Sequence, residues 1–145
     1  MSALPPQIAK MSRVPHRLLD MGVPMGPLKL LRTRGRRSGK PRTIPVVTFR
    51  HDGVEWLVSP FGDTAWVHNA RADGHAEIGR GRRFRRVRLI EIDDARKPEV
   101  LLRYRRRYGI VPFVRHAFRA TPSQGPAAFQ QEAGSHPVFA AQPAD

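Results

Sequence analysis

Short β-branched runs joined by tight glycine turns restrict the fold of this chain more than any other feature. Thr43 to Arg50 reads Thr-Ile-Pro-Val-Val-Thr-Phe-Arg, His51-Asp52-Gly53 follows as a hairpin turn, and Val54 to Ser59 supplies the next strand. An apolar run from Leu28 to Thr33 precedes them, and His75 to Gly79 and Arg83 to Asp93 form a second pair around Gly79-Arg80-Gly81. Parallel neighbours need a long crossover, usually a helix, whereas these strands are joined by turns. The pattern therefore argues against a doubly wound parallel sheet. It predicts a mainly β fold with some α structure, a small antiparallel barrel with short helices at its edges.

The helices read as follows. Pro60-Phe61-Gly62 breaks the third strand, Asp63 or Thr64 caps a short helix running to about Ala72, and Asp73-Gly74 ends it. Pro98 to Tyr108 is amphipathic, with Val100, Leu101, Tyr104 and Tyr108 on one face and Arg103, Arg105, Arg106 and Arg107 mainly elsewhere. Thr121 to Ser135 reads as loop, and His136 to Ala140 as a last edge strand. In the N-terminal stretch Ile8, Met11, Val14 and Leu18 recur at helical spacing, interrupted by Pro15. At 145 residues the chain is expected to form one domain, an N-terminal helical segment over 1–27 packed on a barrel spanning 28–145.

Cysteine is absent, which removes disulfides, thiol nucleophiles and thiolate metal sites. No stretch matches a signal peptide or a membrane span, so the expected location is cytoplasmic. A basic amphipathic segment such as the first 27 residues can also lie against an anionic membrane, leaving peripheral membrane association as a second reading. The net charge of +14 first suggests nucleic acid. However, Lys occurs only at 10, 29, 40 and 97, and Phe84 alone interleaves the basic runs as a stacking aromatic, so nucleic acid is not the expected partner. The same field attracts small anions.

Arg34-Gly35-Arg36-Arg37-Ser38-Gly39-Lys40-Pro41-Arg42 sits between the first two strands. Glycines let the backbone turn and approach a ligand, Ser38 offers a hydroxyl, and the arginine forks match phosphate or carboxylate oxygens. It is not a nucleotide-hydrolysing phosphate loop: only three residues separate Gly35 from Gly39, and Pro41 stands where Ser or Thr is required after Lys40.

This basic turn, the strand containing Pro45, then Val58-Ser59, then Ala65-Trp66-Val67-His68-Asn69-Ala70-Arg71-Ala72 together resemble the deazaflavin-dependent nitroreductase and quinone reductase family. The likeness runs from about Leu28 to Asp93. It implies a split β-barrel related to flavin-binding pyridoxamine-phosphate-oxidase-like folds. It also implies use of the polyglutamylated 8-hydroxy-5-deazaflavin coenzyme F420 to pass a hydride to a quinone, nitroaromatic or activated enone or lactone. By this resemblance Arg36, Arg37, Ser38, Gly39, Lys40, Pro41 and Arg42 hold the anionic tail, and Thr43, Ile44, Pro45 and Val46 run beside the ring. Leu57, Val58, Ser59 and Pro60, with Ala65, Trp66, Val67, His68 and Asn69, close its other sides. Ser59, Tyr104 or Tyr108 would hydrogen-bond the acceptor.

Each residue also has a plainer reading: Trp66 as core packing, Asn69 as a cap on backbone groups, His68 as a structural donor. His68 and His75 make no convincing metal pair, and no metal is expected. Val67 stands where relatives more usually have tyrosine, and the Ser59–Asp63 loop is short, departures that bear on the acceptor. The alternatives are a flavin- or haem-binding split barrel and, in another class, a nucleic-acid binder. A monomer and a homodimer are both compatible with the pattern.

Overall fold

The turn after the second strand shows how local sequence sets the architecture. Asp52 and Gly53 both adopt positive φ, 54° and 74°, the conformation whose twist matches a two-residue hairpin. In the computed structural model, which describes residues 13–110 and 112–144, this hairpin joins β2 (Pro41–His51) to β3 (Val54–Val58). The other strands are β1 (Leu28–Arg34), β4 (His75–Arg80), β5 (Arg83–Glu91) and β6 (Val138–Pro143). All pair antiparallel, in the closed order β1-β2-β3-β6-β5-β4.

Alternation along the strands divides the apolar residues into two layers. Inward-facing Leu31, Ile44, Val46, Leu57, Ile78, Val87, Leu89, Phe139 and Ala141 fill the barrel. One end is closed by Trp66, Val67 and Ala70 of helix α2 (Ala65–Asp73). Outward-facing Phe49, Trp56, Val58, Val138 and Ala140 form a second core beneath α3 (Lys97–Tyr108), α4 (Pro112–Ala117) and α5 (Pro126–Gln130). Its helical contribution includes Leu101, Tyr104, Tyr108, Val114 and Phe129.

The other end of the barrel is closed by charge. Glu55, only 5% exposed, accepts two hydrogen bonds from the Arg85 guanidinium at 2.5 and 2.6 Å, with Lys29 at 3.7 Å. Burial would raise this carboxyl, but the Arg85 hydrogen bonds and the charges of Arg85 and Lys29 outweigh it and hold it below its ordinary value.

Several expectations need correction. The last strand is not an edge: β6 lies between β3 and β5 and completes the closure. It begins at Val138, whereas His136 is a buried side chain outside the strand. Its Nδ1 lies 2.9 Å from the Pro60 carbonyl and its Nε2 2.7 Å from Glu132 Oε1, and its ring stacks on Phe118. The stretch read as loop from Thr121 to Ser135 contains a 3-10 turn begun by Pro122, α5 begun by Pro126, and a second 3-10 turn over Ala133–Ser135; both prolines hold first-turn positions where a missing N–H costs nothing. Among the described residues Pro15 lies within α1 (Arg13–Asp20). Ile8 and Met11 fall outside the described residues. Leu19 of α1 is fully buried, and its carbonyl accepts the Gly81 N–H at 2.6 Å, pinning the helix to the β4–β5 turn. Among the described residues no helix is long and apolar enough to cross a membrane.

Candidate functional site

Pro45 helps to explain where the barrel opens. It pairs with Leu30 of β1, while β3 pairs with β2 only from Thr48 onward, so the missing N–H falls where β2 has one strand neighbour. This first half of β2, the basic turn and the start of α2 enclose a cleft of about 430 Å³. Its lining combines Arg36, Arg37, Ser38 and Arg42 with Thr43, Ile44, Ala65 and Trp66, together with Thr33, Gly35 and Asn69. The cleft thus joins cationic and apolar side chains.

The turn holds its own shape. The Gly35 N–H donates to the Lys40 carbonyl at 2.8 Å, the Gly39 N–H to the Gly35 carbonyl at 2.8 Å, and the Lys40 N–H to Ser38 Oγ at 3.2 Å. Gly39 sits at φ 71°, which an L side chain rarely adopts, and a Cβ on Gly35 would fall 2.7 Å from Ser38 Oγ. Gly39 is therefore favoured by its backbone conformation, and at Gly35 a side chain would crowd the Lys40 carbonyl, 3.1 Å from the would-be Cβ.

Helix α2 is moored on two sides. Arg71 forms a fork onto Glu91 of β5, Nε to Oε1 at 2.8 Å and Nη2 to Oε2 at 2.7 Å, with Asp63 at 3.2 Å from Nη1. The Glu91 hydrogen bond raises the Arg71 pKa further. On the cleft side Asn69, 2% exposed, donates from Nδ2 to Thr33 Oγ1 at 3.2 Å. Its Oδ1 accepts both the backbone N–H of Arg36 at 3.1 Å and Arg36 Nη1 at 3.0 Å. Trp66 is held in the barrel mouth against Phe139, ring centroids 5.4 Å apart.

The structure brings nine of the expected residues to this cleft: Arg36, Arg37, Ser38, Arg42, Thr43, Ile44, Ala65, Trp66 and Asn69. It places others elsewhere. Gly39 and Pro41 line a neighbouring polar cleft with Arg32, Arg34 and Arg86, and Lys40 is exposed on the turn. By strand alternation Pro45 lies on the outer face, while Val46, Leu57 and Val67 pack inside the barrel and Val58 packs under the helical layer. Ser59 is 1% exposed and its hydroxyl donates to the Gly62 carbonyl at 2.6 Å, so its proton serves the loop. The Pro60 carbonyl faces His136.

His68 does not line the cleft, and its Nε2 is buried without a hydrogen-bond partner among the described residues. Tyr104 and Tyr108, expected to face an acceptor, pack with Phe49 in the helical layer instead. They do so because the apolar face of α3 that carries them is the face it buries. Burial raises both hydroxyls above their ordinary pKa. Thr33 was missed as a site residue because it reads as a strand end. Its signal was the β1 alternation, which puts it on the same inward face as Leu31. Among the described residues no cluster of three or more His, Asp or Glu could hold a metal.

A closed six-stranded antiparallel barrel with short flanking helices defines the split-barrel class, the fold of pyridoxamine-phosphate-oxidase-like proteins. Three solved structures share the fold. An F420-H2-dependent reductase, FDR-A, matches with a TM-score of 0.53 and 19% identity over 80% of this chain and 94% of its own. A candidate pyridoxamine 5'-phosphate oxidase from Listeria innocua matches at 0.54 and 10% identity, covering 83% and 86%. HutZ, a haem storage protein from Vibrio cholerae, matches at 0.55 and 10% identity, covering 99% and 92%. No curated protein matches the chain in sequence.

The chain belongs to the F420H(2)-dependent quinone reductase family, whose model matches residues 12–110. It is an oxidoreductase that uses coenzyme F420. The lining suits that coenzyme, since its arginines match an anionic tail and Ile44, Ala65 and Trp66 match a planar ring.

Proposed function

We propose that the cleft between the basic turn and α2 holds the coenzyme, and that the protein reduces quinones and other electron-poor acceptors such as nitroaromatics and activated enones or lactones. The observation that carries this reading is the pairing, within one cleft, of Arg36, Arg37 and Arg42 with Ile44 and Trp66. The arginines bind the phosphate and glutamate charges, and the β2 backbone from Thr43 offers polar groups to the ring edge. When bound, the coenzyme supplies the hydride. The chain's own contribution is orientation and exclusion of water by the apolar side chains. An opposite charge about 4 Å away contributes on the order of 1 kcal/mol in water and about 4 in a partly buried setting, so three arginines can dominate affinity.

No Asp, Glu, His or Tyr is among the described residues lining the cleft. On this reading the proton that completes reduction is taken from solvent water. Ser59 takes no part, because its hydrogen already serves Gly62.

The test is direct. Oxidised coenzyme titrated into the protein should lose fluorescence, and Arg37→Glu with Arg42→Glu should weaken that binding at least about tenfold, an effect that shrinks as salt rises. Reduced coenzyme should be oxidised, followed by absorbance, in the presence of a quinone. Absence of both quenching and turnover would reject the assignment.

A further inference from the structure

Each nitrogen of the buried His136 ring faces an acceptor. Nδ1 lies 2.9 Å from the Pro60 carbonyl and Nε2 2.7 Å from Glu132 Oε1, with the His136 side chain 3% and the Glu132 side chain 9% exposed. Burial raises the Glu132 carboxyl, but the hydrogen bonds from His136 and from the Ala120 and Arg119 N–H groups prevail and lower it, so at neutral pH it is a carboxylate. A carbonyl and a carboxylate only accept, whereas a neutral imidazole carries a single N–H. Satisfying both contacts takes a hydrogen on each ring nitrogen. We propose that His136 is a positioning residue for the coenzyme cleft, a doubly protonated clamp that holds Glu132 and Pro60 together and so fixes the loop from which α2 and Trp66 start.

The surroundings favour a charged ring. It stacks on Phe118 with centroids 4.2 Å apart, and an aromatic face attracts a cation. Glu132 is held in place by the backbone N–H groups of Arg119 and Ala120. Lys97 lies 2.7 Å from Asp94 and donates to the Ala133 carbonyl, which also accepts the His136 backbone N–H. On the loop side Asp63 is paired with Arg71.

From the clamp the bonding runs to the cleft. The Ser59 N–H donates to the Pro137 carbonyl at 2.8 Å, and the Gly62 carbonyl accepts both the Ser59 hydroxyl at 2.6 Å and the Thr64 N–H at 2.9 Å. The Thr64 carbonyl then accepts the Val67 and His68 N–H groups in the first turn of α2, whose Ala65 and Trp66 line the cleft. If the pair loses a proton, the remaining hydrogen stays with the charged acceptor Glu132 and a ring lone pair is left against the Pro60 carbonyl. The loop then loses its tie to the helical layer, and ordering it again adds to the cost of binding.

The proposal rests on the reading that this cleft binds the coenzyme, and the experiment separates the two. In the free wild type, nitrogen-15 NMR of the His136 ring, assigned through its own backbone, should show a hydrogen on both nitrogens at neutral pH. Coenzyme dissociation constants are then measured by fluorescence quenching from about pH 6 to 9, the range in which histidine pairs titrate, for the wild type, His136→Gln and Glu132→Gln, below the thermal midpoint of each. Gln keeps a donor but lacks two opposed N–H groups. His136→Gln should therefore bind about fivefold more weakly at neutral pH, part of a hydrogen bond to a charged group, with KM for the coenzyme raised and kcat at saturation unchanged. Ionisations of the coenzyme are common to all three proteins and cancel in the ratio to wild type. That ratio should fall toward one as pH rises, because the wild type itself loses the second hydrogen. Removing the neighbouring negative charge in Glu132→Gln should bring the weakening on at lower pH than in the wild type.

A neutral His136 ring at neutral pH would overturn the proposal, and the labelled wild type decides this even where a variant does not fold. A ratio that stays constant with pH, or wild-type affinity in His136→Gln, would overturn it as well while leaving the cleft reading intact. If Arg37→Glu with Arg42→Glu binds as the wild type does, the assignment of the cleft fails first and the proposal with it.

Discussion

Replacing Arg85 with Met tests the ionic closure of the barrel's lower end. Glu55 is 5% exposed and its carboxylate takes two hydrogen bonds from Arg85, whereas the Arg85 side chain is 44% exposed. The two deletions are therefore unequal. Arg85→Met leaves a desolvated carboxylate with the Lys29 charge, 3.7 Å away, and the Thr48 side-chain hydrogen bond. Breaking a buried pair from the charged side costs about 3–5 kcal/mol, and the remaining Lys29 together with the exposure of Arg85 argues for the lower end, about 3 kcal/mol. Glu55→Gln leaves two cations that can turn to water, and should cost only about 1–2 kcal/mol.

For a chain of this length, 3 kcal/mol is roughly a 10 °C fall in melting temperature. Urea unfolding at neutral pH supplies the free energies, and a double variant should lose less than the sum of the singles. The pH dependence follows from the lowered Glu55 pKa. The stabilisation is complete above the unfolded carboxylate value and disappears as pH falls through the lower folded one, so wild type and Glu55→Gln should converge in acid. Should Arg85→Met cost under about 0.5 kcal/mol, or less than Glu55→Gln, the reasoning about desolvation is wrong.

Three further outcomes are expected. Gly81 combines a φ of 58° with a would-be Cβ 2.9 Å from Gly22 Cα, so Gly81→Ala should destabilise by about 2 kcal/mol in denaturant titration and loosen α1 from the β4–β5 turn. Glu132 accepts from His136 and from the backbone N–H groups of Arg119 and Ala120. Burial raises its carboxyl, but those hydrogen bonds prevail and lower it. Glu132→Ala should therefore cost about 2–3 kcal/mol at neutral pH, a difference that shrinks in acid melts. Tyr104→Phe should leave KM for a quinone within about twofold of wild type in steady-state assays, because hydroxyl removal in the helical layer changes no contact in the cleft. A tenfold loss would return Tyr104 to the acceptor site.

Local chemistry determined much of this protein. The Asp52-Gly53 turn, the alternation along β1 to β5 and the arginine-rich glycine turn are short-range facts, and each appears where the sequence puts it. The Trp66 and Asn69 pair was legible as belonging near that turn through the family likeness, but the role of each residue was not. Only the tertiary structure decided that β6 closes the barrel between β3 and β5, because an apolar run of this kind pairs equally well at an edge or inside, and long-range packing chooses. Packing likewise sent Tyr104 and Tyr108 into a second core and turned the amide of Asn69 toward Arg36. Sequence carries periodicity over a few residues, whereas hydrogen bonds across 33 residues exist only once the barrel has brought their ends together.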